Sequence, residues 1–504
     1  MLSQSGIYAV AGLAQQGVSF LLLPLYTRFV PPAGYGQLEL LNSFSAIVFA
    51  VLMLGLASAI TKCYHLDCRD DAERAALLPT ALLLDLPLLA AGGAVLLAAA
   101  GPIAGWLFGG ADPAGAGLVR LMAAGGILSS CVALGLAGVR AEERAVAFGV
   151  ISVAQLTAAL TLNALFVARW HLGVRGILWG NLLSNLLALA VVLAMGAAAR
   201  RAKRLAAAGG PARRGAGGRL FERRMASHLL RFGTMLLPAL LASWVMDLSD
   251  RWVLRHYTTL ADVAVYAVGY KVGMVLQAAV VWPFQLAWPA ISFRISRQEG
   301  HHDTYAATVT WFAALLAAGI AALTLLARIA LPAVAGAAYT AAWRVVPVVA
   351  FAYACNGLYY AFSPGIHLAG RTRWLAPLAL AAAALNLALN FALIPAFGRA
   401  GAAASTAAAF AFLALGTAVL SQRVYPVPYE TGKLVRIGGA LAVVLLLGSR
   451  LPASLTPLHL GAHVALALGG VPALLWAAGV FRRPPPVPGG SPPPPLGARP
   501  EPQP

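Results

Sequence analysis

Charge is what this sequence has least of. Asp, Glu, Lys and Arg make up only 11% of its 504 residues, against 60% hydrophobic residues and a mean hydropathy of +0.78. A soluble domain keeps roughly 25% charged residues. The deficit leaves too little polar surface to face water, so lipid is the solvent for most of the chain. Acid is scarcer than base, 17 residues against 36, for a net charge of +19. On a soluble chain that excess would point to nucleic acid. Here the charges sit between apolar runs, and no nucleic-acid partner is expected. Cysteine is also scarce. Cys63 and Cys68 flank one short loop, while Cys131 and Cys355 lie in apolar stretches. That is neither a disulfide framework nor a zinc site, so no metal is expected. Covalent chemistry has no visible equipment either. There is no Asp-x-Asp pair, no Ser/His/Asp set and no glycine loop shaped to cradle phosphate. No outer loop greatly exceeds about 20 residues. An integral-membrane glycosyltransferase, ligase or polymerase is therefore disfavoured, and no cofactor is expected. Residues 1–27 contain no Lys or Arg, so the basic segment of a cleaved signal is missing and the first apolar run is expected to insert as a helix.

What the chain has in abundance is apolar runs of about 17 to 25 residues. They fall near 5–28, 37–61, 76–100, 118–139, 145–168, 176–199, 232–255, 263–288, 306–330, 345–367, 375–397, 400–421, 434–450 and 459–481. Each can cross a hydrocarbon core of about 30 Å as a helix rising about 1.5 Å per residue. The expected fold class is an all-α integral membrane protein with about 14 transmembrane helices. With the N-terminus in the cytoplasm and the spans alternating, 25 Lys and Arg fall in inner segments and 10 at outer ends, with Lys271 inside a span. The positive-inside rule then places both termini in the cytoplasm.

Segment 200–231 is the only long linker, and it holds ten basic residues. It is expected to anchor the topology and to touch anionic membrane lipids. The tail 484–504 is Pro-rich and expected to be disordered. Six spans precede the linker, and the six after it echo them weakly. Leu162-Asn163-Ala164-Leu165 followed by Gly173 is matched by Leu389-Asn390 and Leu393 followed by Gly398. Chance similarity between Ala-rich helices is the competing explanation. A true repeat implies two six-helix lobes, 1–199 and 232–425, around a central cavity that opens to either side, with two additional helices in 426–483.

A polar group in hydrocarbon is costly unless it is paired or faces water. Asp85 and Lys271 lie inside apolar runs, and Asp247, Asp250, Arg251 and Arg255 cluster near the outer end of the seventh span. Asp247, Asp250 and Arg251 share one helix face by their spacing. Arg28 holds the corresponding place on the first span. Arg28, Arg251, Arg255 and Lys271 are the candidates for lining the cavity and attracting an anionic headgroup, because a guanidinium forks well onto phosphate. Local ion pairing of Asp250 with Arg251, and snorkelling of Arg28 to headgroups, are the bland alternatives. Asp85, Asp247 and Asp250 are candidates for ion coupling. Gln15, Gln16, Glu39, Asn42, Asn163, Asn181, Asn185, Asn356, Asn386 and Asn390 add polar atoms, the Asn residues being read as interhelical hydrogen-bonding groups. Prolines at 24, 87, 238, 283, 289, 347, 364 and 377 mark possible kinks.

Three stretches resemble the polysaccharide-repeat-unit flippases, the polysaccharide transporter branch of the multidrug/oligosaccharidyl-lipid/polysaccharide exporter superfamily. They are Leu23-Pro24 to Arg28 with Tyr35-Gly36 and Glu39; Pro238 with Asp250-Arg251 and Tyr270-Lys271; and Asn386, Asn390, Pro395, Gly398 and Gly401 to Ser405. The resemblance covers residues 5 to 425; the final two spans match by hydropathy alone. It implies a flippase of the cytoplasmic (inner) membrane for undecaprenyl-diphosphate-linked oligosaccharide, serving O-antigen, capsule or exopolysaccharide synthesis. Alternating access by two rocking lobes is implied too, with polysaccharide polymerase and glycosyltransferases as expected partners. Only Asp250-Arg251 and Tyr270-Lys271 sit in matched motifs. A drug/cation antiporter of the same superfamily is the alternative. The count of candidate cavity cations over buried acids favours an anionic cargo.

Overall fold

The computed structural model describes residues 21–110, 113–208, 221–452 and 456–480, and every regular element among them is helical. The expected first span is described only from residue 21. Gln15, Gln16, residues 209–220 of the linker and the Pro-rich tail lie outside the described residues.

The helices are α1 (Leu23–Phe29), α2 (Pro32–Leu52), α3 (Leu56–Lys62), α4 (Asp71–Ala98), α5 (Ala100–Phe108), α6 (Pro113–Ala141), α7 (Ala145–Asn163) and α8 (Gly173–Ala208). There follow α9 (Arg223–Tyr257), α10 (Leu260–Leu276), α11 (Trp282–Ile295), α12 (His301–Ala335), α13 (Val346–Phe362) and α14 (Pro364–Leu368). The last are α15 (Leu375–Phe397), α16 (Arg399–Val424), α17 (Thr431–Arg450), α18 (Pro457–Ala465) and α19 (Val471–Ala477). Among the described residues 12 helices are long and apolar enough to cross a membrane. The count reaches 13 when Ala337–Arg344 and Val346–Leu368, bent by 45°, are taken as one broken span. Each expected span from 37–61 to 459–481 falls on one of these. The chain is thus an all-helical, multi-pass integral membrane protein.

Local chemistry explains the interruptions. The 45° bend falls just before the helix that starts at Val346, with Pro347 in its first turn, where a missing N–H costs nothing and the fixed φ suits a helix start. A π turn at Gln277–Val281 joins α10 to α11 immediately ahead of Pro283, which cannot donate to the helix ladder. Capping fixes the starts. Asp70 accepts the backbone N–H of Glu73 at the head of α4. Thr259 and Asp262 form a reciprocal capping box at the head of α10.

Lipid gives helices no hydrophobic reason to associate, so close van der Waals packing between small residues must do it. Helix α6 packs on α4 and α8, and α7 on α8; α16 packs on α13 and α15, and α9 on α15. Helix α2 crosses from the first group to lie on α10 and α9. The last helices attach to α12, where Arg328 donates to the carbonyls of Gly448 (2.9 Å) and Ser449 (3.1 Å) in α17.

Two glycine contacts bring N- and C-terminal helices to backbone distance at opposite ends of α2. A Cβ on Gly36 would sit 2.0 Å from the Leu260 carbonyl oxygen. A Cβ on Gly233 would sit 2.2 Å from the Leu54 carbonyl oxygen, beside Gly55 in its left-handed conformation (φ +67). The two halves of the chain therefore touch near both ends of α2. At the Gly55 end the contact has a polar rim. Arg224 donates to Glu73 (2.7 Å) and to the Asp67 carbonyl (3.3 Å). Lys62 donates to the Asp67 carboxylate (2.7 Å), and His228 lies 3.5 Å from it. Below the rim the Cys68 thiol touches the Met225 sulfur at 3.8 Å.

Two outcomes are expected at this rim. Arg224→Ala, in the full-length protein, raises the rate of maleimide labelling of Cys68 several-fold; an unchanged rate means the rim does not hold this end. The second concerns pH. The hydrogen bond from Lys62 holds the Asp67 carboxyl below its ordinary value, against the opposing effect of burial. A depressed carboxylate stabilises the fold above its unfolded-state value, and that contribution fades as pH falls through the depressed one. Stability is therefore expected to drop more steeply below about pH 4 in the wild type than in Asp67→Asn, read from unfolding midpoints across pH. Parallel profiles would contradict this.

Candidate functional site

The residues that expectation singled out do not all meet. Arg251 of α9 and Lys271 of α10 line one cavity of about 470 Å³. Its walls come from both halves of the chain: Tyr26 of α1, Glu39 of α2, Asn181 of α8, Trp244 and Asp247 of α9, and Tyr353 of α13. Arg28 is exposed and donates to the Ala333 carbonyl at 3.2 Å, away from this cavity. Arg255 folds back on the end of its own helix. It donates to the carbonyls of Thr258 (3.0 Å) and Phe108, and it lines a separate, mainly apolar cavity of about 510 Å³ with Trp106, Trp252, Leu387 and Phe391. Asp85 is fully buried, and neither carboxyl oxygen has a hydrogen-bond partner among the described residues.

Lys271 reaches across to α2. Its Nζ donates to the Glu39 Oε1 at 2.5 Å and to the Tyr35 hydroxyl at 2.8 Å, with the Tyr35 ring 5.2 Å away. Tyr35 and Glu39 are four apart and so occupy one face of α2. The pair joins residues 232 positions apart in sequence. The Lys271 side chain is 16% exposed and that of Glu39 5%, so solvent screens the pair little.

Arg251 is held from its own helix. Its Nη1 donates to the Asp247 carbonyl (2.7 Å) and to Asp250 Oδ1 (3.1 Å). Its guanidinium stacks over the ring of Tyr270, 4.5 Å from the centroid. Asp250 in turn accepts from the Tyr266 hydroxyl and lies behind the cavity, fully buried. Local pairing of Asp250 with Arg251 is thus observed. The Arg251 Nε keeps no partner among the described residues. Asp247 faces the cavity and accepts from the hydroxyls of Tyr270 (3.2 Å) and Tyr353 (3.3 Å).

The expected surplus of cavity cations over acids needs correction. Lys271 has Glu39, Arg251 has Asp250, and Asp247 stands beside them. The reason is electrostatic: a cation held in low dielectric draws a counter-ion from whatever helix can supply one. Glu39 does so from the other half of the chain, which no local spacing reveals. The tyrosine shell was equally hidden, although the Tyr270-Lys271 adjacency signals part of it. Asn386 and Asn390 bond to each other and to Ser249 of α9, and Asn163 accepts from Tyr26 at 3.1 Å; these amides join helices.

Removing one member of a buried pair leaves its partner's charge uncompensated, at a cost of about 3–5 kcal/mol. Glu39→Gln and Lys271→Met are each expected to lower stability by roughly that much, and the double variant by clearly less than their sum. Additive losses in unfolding measurements would show that the two groups do not interact.

Residues 1–293 match the family described as polysaccharide biosynthesis protein. The fold is similar to that of the lipid II flippase MurJ in an inward closed conformation, with a TM-score of 0.71 and 11% identity over 96% of this chain and 99% of that one. It is similar also to an inward-facing multidrug resistance MATE family transporter of the MOP superfamily (TM-score 0.61, 15% identity, 81% of this chain and 94% of that one). The Vibrio cholerae MATE transporter VcmN gives 0.52, with 15% identity over 84% and 98%. At these identities the likeness establishes the fold. No curated protein matches the chain at a significant level by sequence.

Proposed function

We propose that this chain, which belongs to the polysaccharide biosynthesis protein family, is a flippase that carries undecaprenyl-diphosphate-linked oligosaccharide repeat units from the cytoplasmic to the outer face of the cytoplasmic membrane. Both termini face the cytoplasm on this reading, and the cargo feeds O-antigen, capsule or exopolysaccharide synthesis. The observation that carries the proposal is the convergence of Arg251 and Lys271, from two helices, on one cavity walled by both halves of the chain. A fold similar to that of the lipid II flippase MurJ supports a lipid-linked cargo.

The geometry supports a specific exchange. In the structure Glu39 occupies the ammonium of Lys271. A diphosphate brings more negative charge than one carboxylate and offers several acceptor oxygens, so it competes for Lys271 while forking onto Arg251, whose Nε is free among the described residues. Releasing Glu39 from Lys271 unlatches α2 from α10. Segments 1–199 and 232–425 then rock as two lobes and turn the cavity from one face to the other. The same step leaves Glu39 or Asp247 facing a polyanion; Asp247, Asp85 and Asp250 are candidates for coupling to an ion gradient. Arg255, beside an apolar cavity, and Arg28, at the helix ends, are proposed as outlying contacts for the headgroup.

A second reading has its own support. Glu39 and Asp247 sit among Tyr26, Tyr270, Tyr353 and Trp244, and acids with aromatic faces suit an organic cation. That would make the chain a drug/cation antiporter. One experiment separates the two. In proteoliposomes matched for the amount of inserted protein, Arg251→Gln and Lys271→Gln combined are expected to cut translocation of fluorescent lipid-linked oligosaccharide by at least about a hundredfold, the loss of two charge-assisted contacts at about 1.5–3 kcal/mol each. Unimpaired translocation, or gain of ethidium transport in the variants, would overturn the flippase reading.

A further inference from the structure

Beside the charged cavity lies one with no charge in its wall. It measures about 480 Å³ and is bordered by α2, α6, α7 and α8. Its polar lining is made of amides and hydroxyls: Asn42, Ser45, Ser129, Gln155, Asn181, Ser184 and Asn185. Asn42 and Asn181 also line the cavity that holds Arg251 and Lys271, so the two chambers meet along those residues.

The lining decides what can occupy this space. Seven amide or hydroxyl side chains at mid-span cannot face hydrocarbon without loss, so the chamber calls for a polar occupant. Part of their capacity is used internally. Gln155 Nε2 donates to Asn185 Oδ1 (2.9 Å), Asn185 donates to the Gly125 carbonyl (3.4 Å), and Asn163 donates to Asn181 Oδ1 (3.3 Å). These bonds orient the amides without exhausting them, because each amide carries two N–H donors and an oxygen with two lone pairs. An anion would find no cation here, and a cation no carboxylate. A neutral ligand dense in hydroxyls fits, since each hydroxyl both donates and accepts, as the lining does. Leu156 and Leu178 supply apolar surface between the polar groups, suited to the C–H faces of a sugar ring. The volume lies within the range of small-molecule sites, about 300–1,000 Å³.

We infer that this neutral chamber is the glycan subsite: it holds the sugars nearest the diphosphate while the diphosphate sits at Arg251 and Lys271, and it selects uncharged sugars there. The inference rests on the flippase reading above and adds to it a location and a chemical class. Gln155 and Asn185 are its specificity-determining residues.

The test uses the full-length protein in nanodiscs and three probes: undecaprenyl diphosphate, the same lipid bearing a neutral trisaccharide, and the same lipid bearing a uronic acid at the first sugar. The wild type is expected to bind the neutral glycolipid more tightly than the bare lipid, and the uronic acid form no better than the bare lipid. Gln155→Ala and Asn185→Ala are each expected to weaken binding of the neutral glycolipid about tenfold, the loss of one net hydrogen bond, while leaving the bare lipid unaffected. Ser129→Phe fills the chamber without removing either amide and is expected to act in the same way, which keeps the test decisive should an alanine variant fail to fold. Equal affinity of the wild type for all three probes, or equal loss for bare and glycosylated lipid in Ser129→Phe, overturns the subsite alone. Binding of none of the probes by the wild type overturns the flippase reading and the subsite with it.

Discussion

The bond between Lys271 and Glu39 organises the middle of this protein. An ammonium group on one helix and a carboxylate on another, 2.5 Å apart and nearly sealed from solvent, leave each other little freedom of position. Neither could sit in a hydrocarbon-like interior alone. Their contact sets the depth of α2 against α10, and Tyr35 completes it with a hydroxyl to the same ammonium. The backbone approach at Gly36 and Leu260 lies one turn away on the same helix. Around the pair stand Arg251 with Asp250, Asp247 with two tyrosines, and the other aromatic side chains of the cavity wall.

Such an arrangement is stable without being inert. A buried pair gives only a modest net gain, because desolvation of both charges offsets most of their attraction, yet it is costly to break from one side. A competing anion that satisfies Lys271 removes that cost. The two halves can then be held together by Glu39 and released by a cargo with a stronger anion, whose place on Lys271 Glu39 holds. The polar rim at the Gly55 end lies outside the spans, where water and salt weaken charge pairs. It is suited to yield without cargo, whereas the Lys271 latch is not.

Much of this was legible in the chain and some could not be. Membrane spans read well because hydrocarbon imposes a length and a composition on each. The break before Pro347 was half legible: proline marks a place where a helix can bend, and packing decides whether it does. Depth along a span was readable for every intramembrane charge, since residue number gives it directly. Direction around the helix was not. Arg251 and Arg255 are four residues apart on one helix, yet one lines the charged cavity and the other bonds carbonyls beside an apolar one. Arg255 lies close enough to the end of α9 for carbonyls to compete for its guanidinium, a tertiary circumstance with no local signature. The neutral chamber was hidden for a similar reason. Its amides come from α2, α7 and α8, and an isolated Asn or Gln reads equally well as helix glue.

The central claim is that an anionic lipid headgroup takes Lys271 from Glu39. A zero-length cross-link with an apolar, membrane-permeant carbodiimide reads that contact directly, because the reagent reaches the pair through the bilayer and joins a carboxylate to an amine only when the two touch. In the full-length protein in membranes, the Glu39–Lys271 amide should form readily and be found by mass spectrometry. Saturating undecaprenyl-diphosphate-linked oligosaccharide should suppress it, and the cross-linked protein should not translocate. A yield of cross-link indifferent to that lipid, or full translocation by the cross-linked protein, would contradict the account.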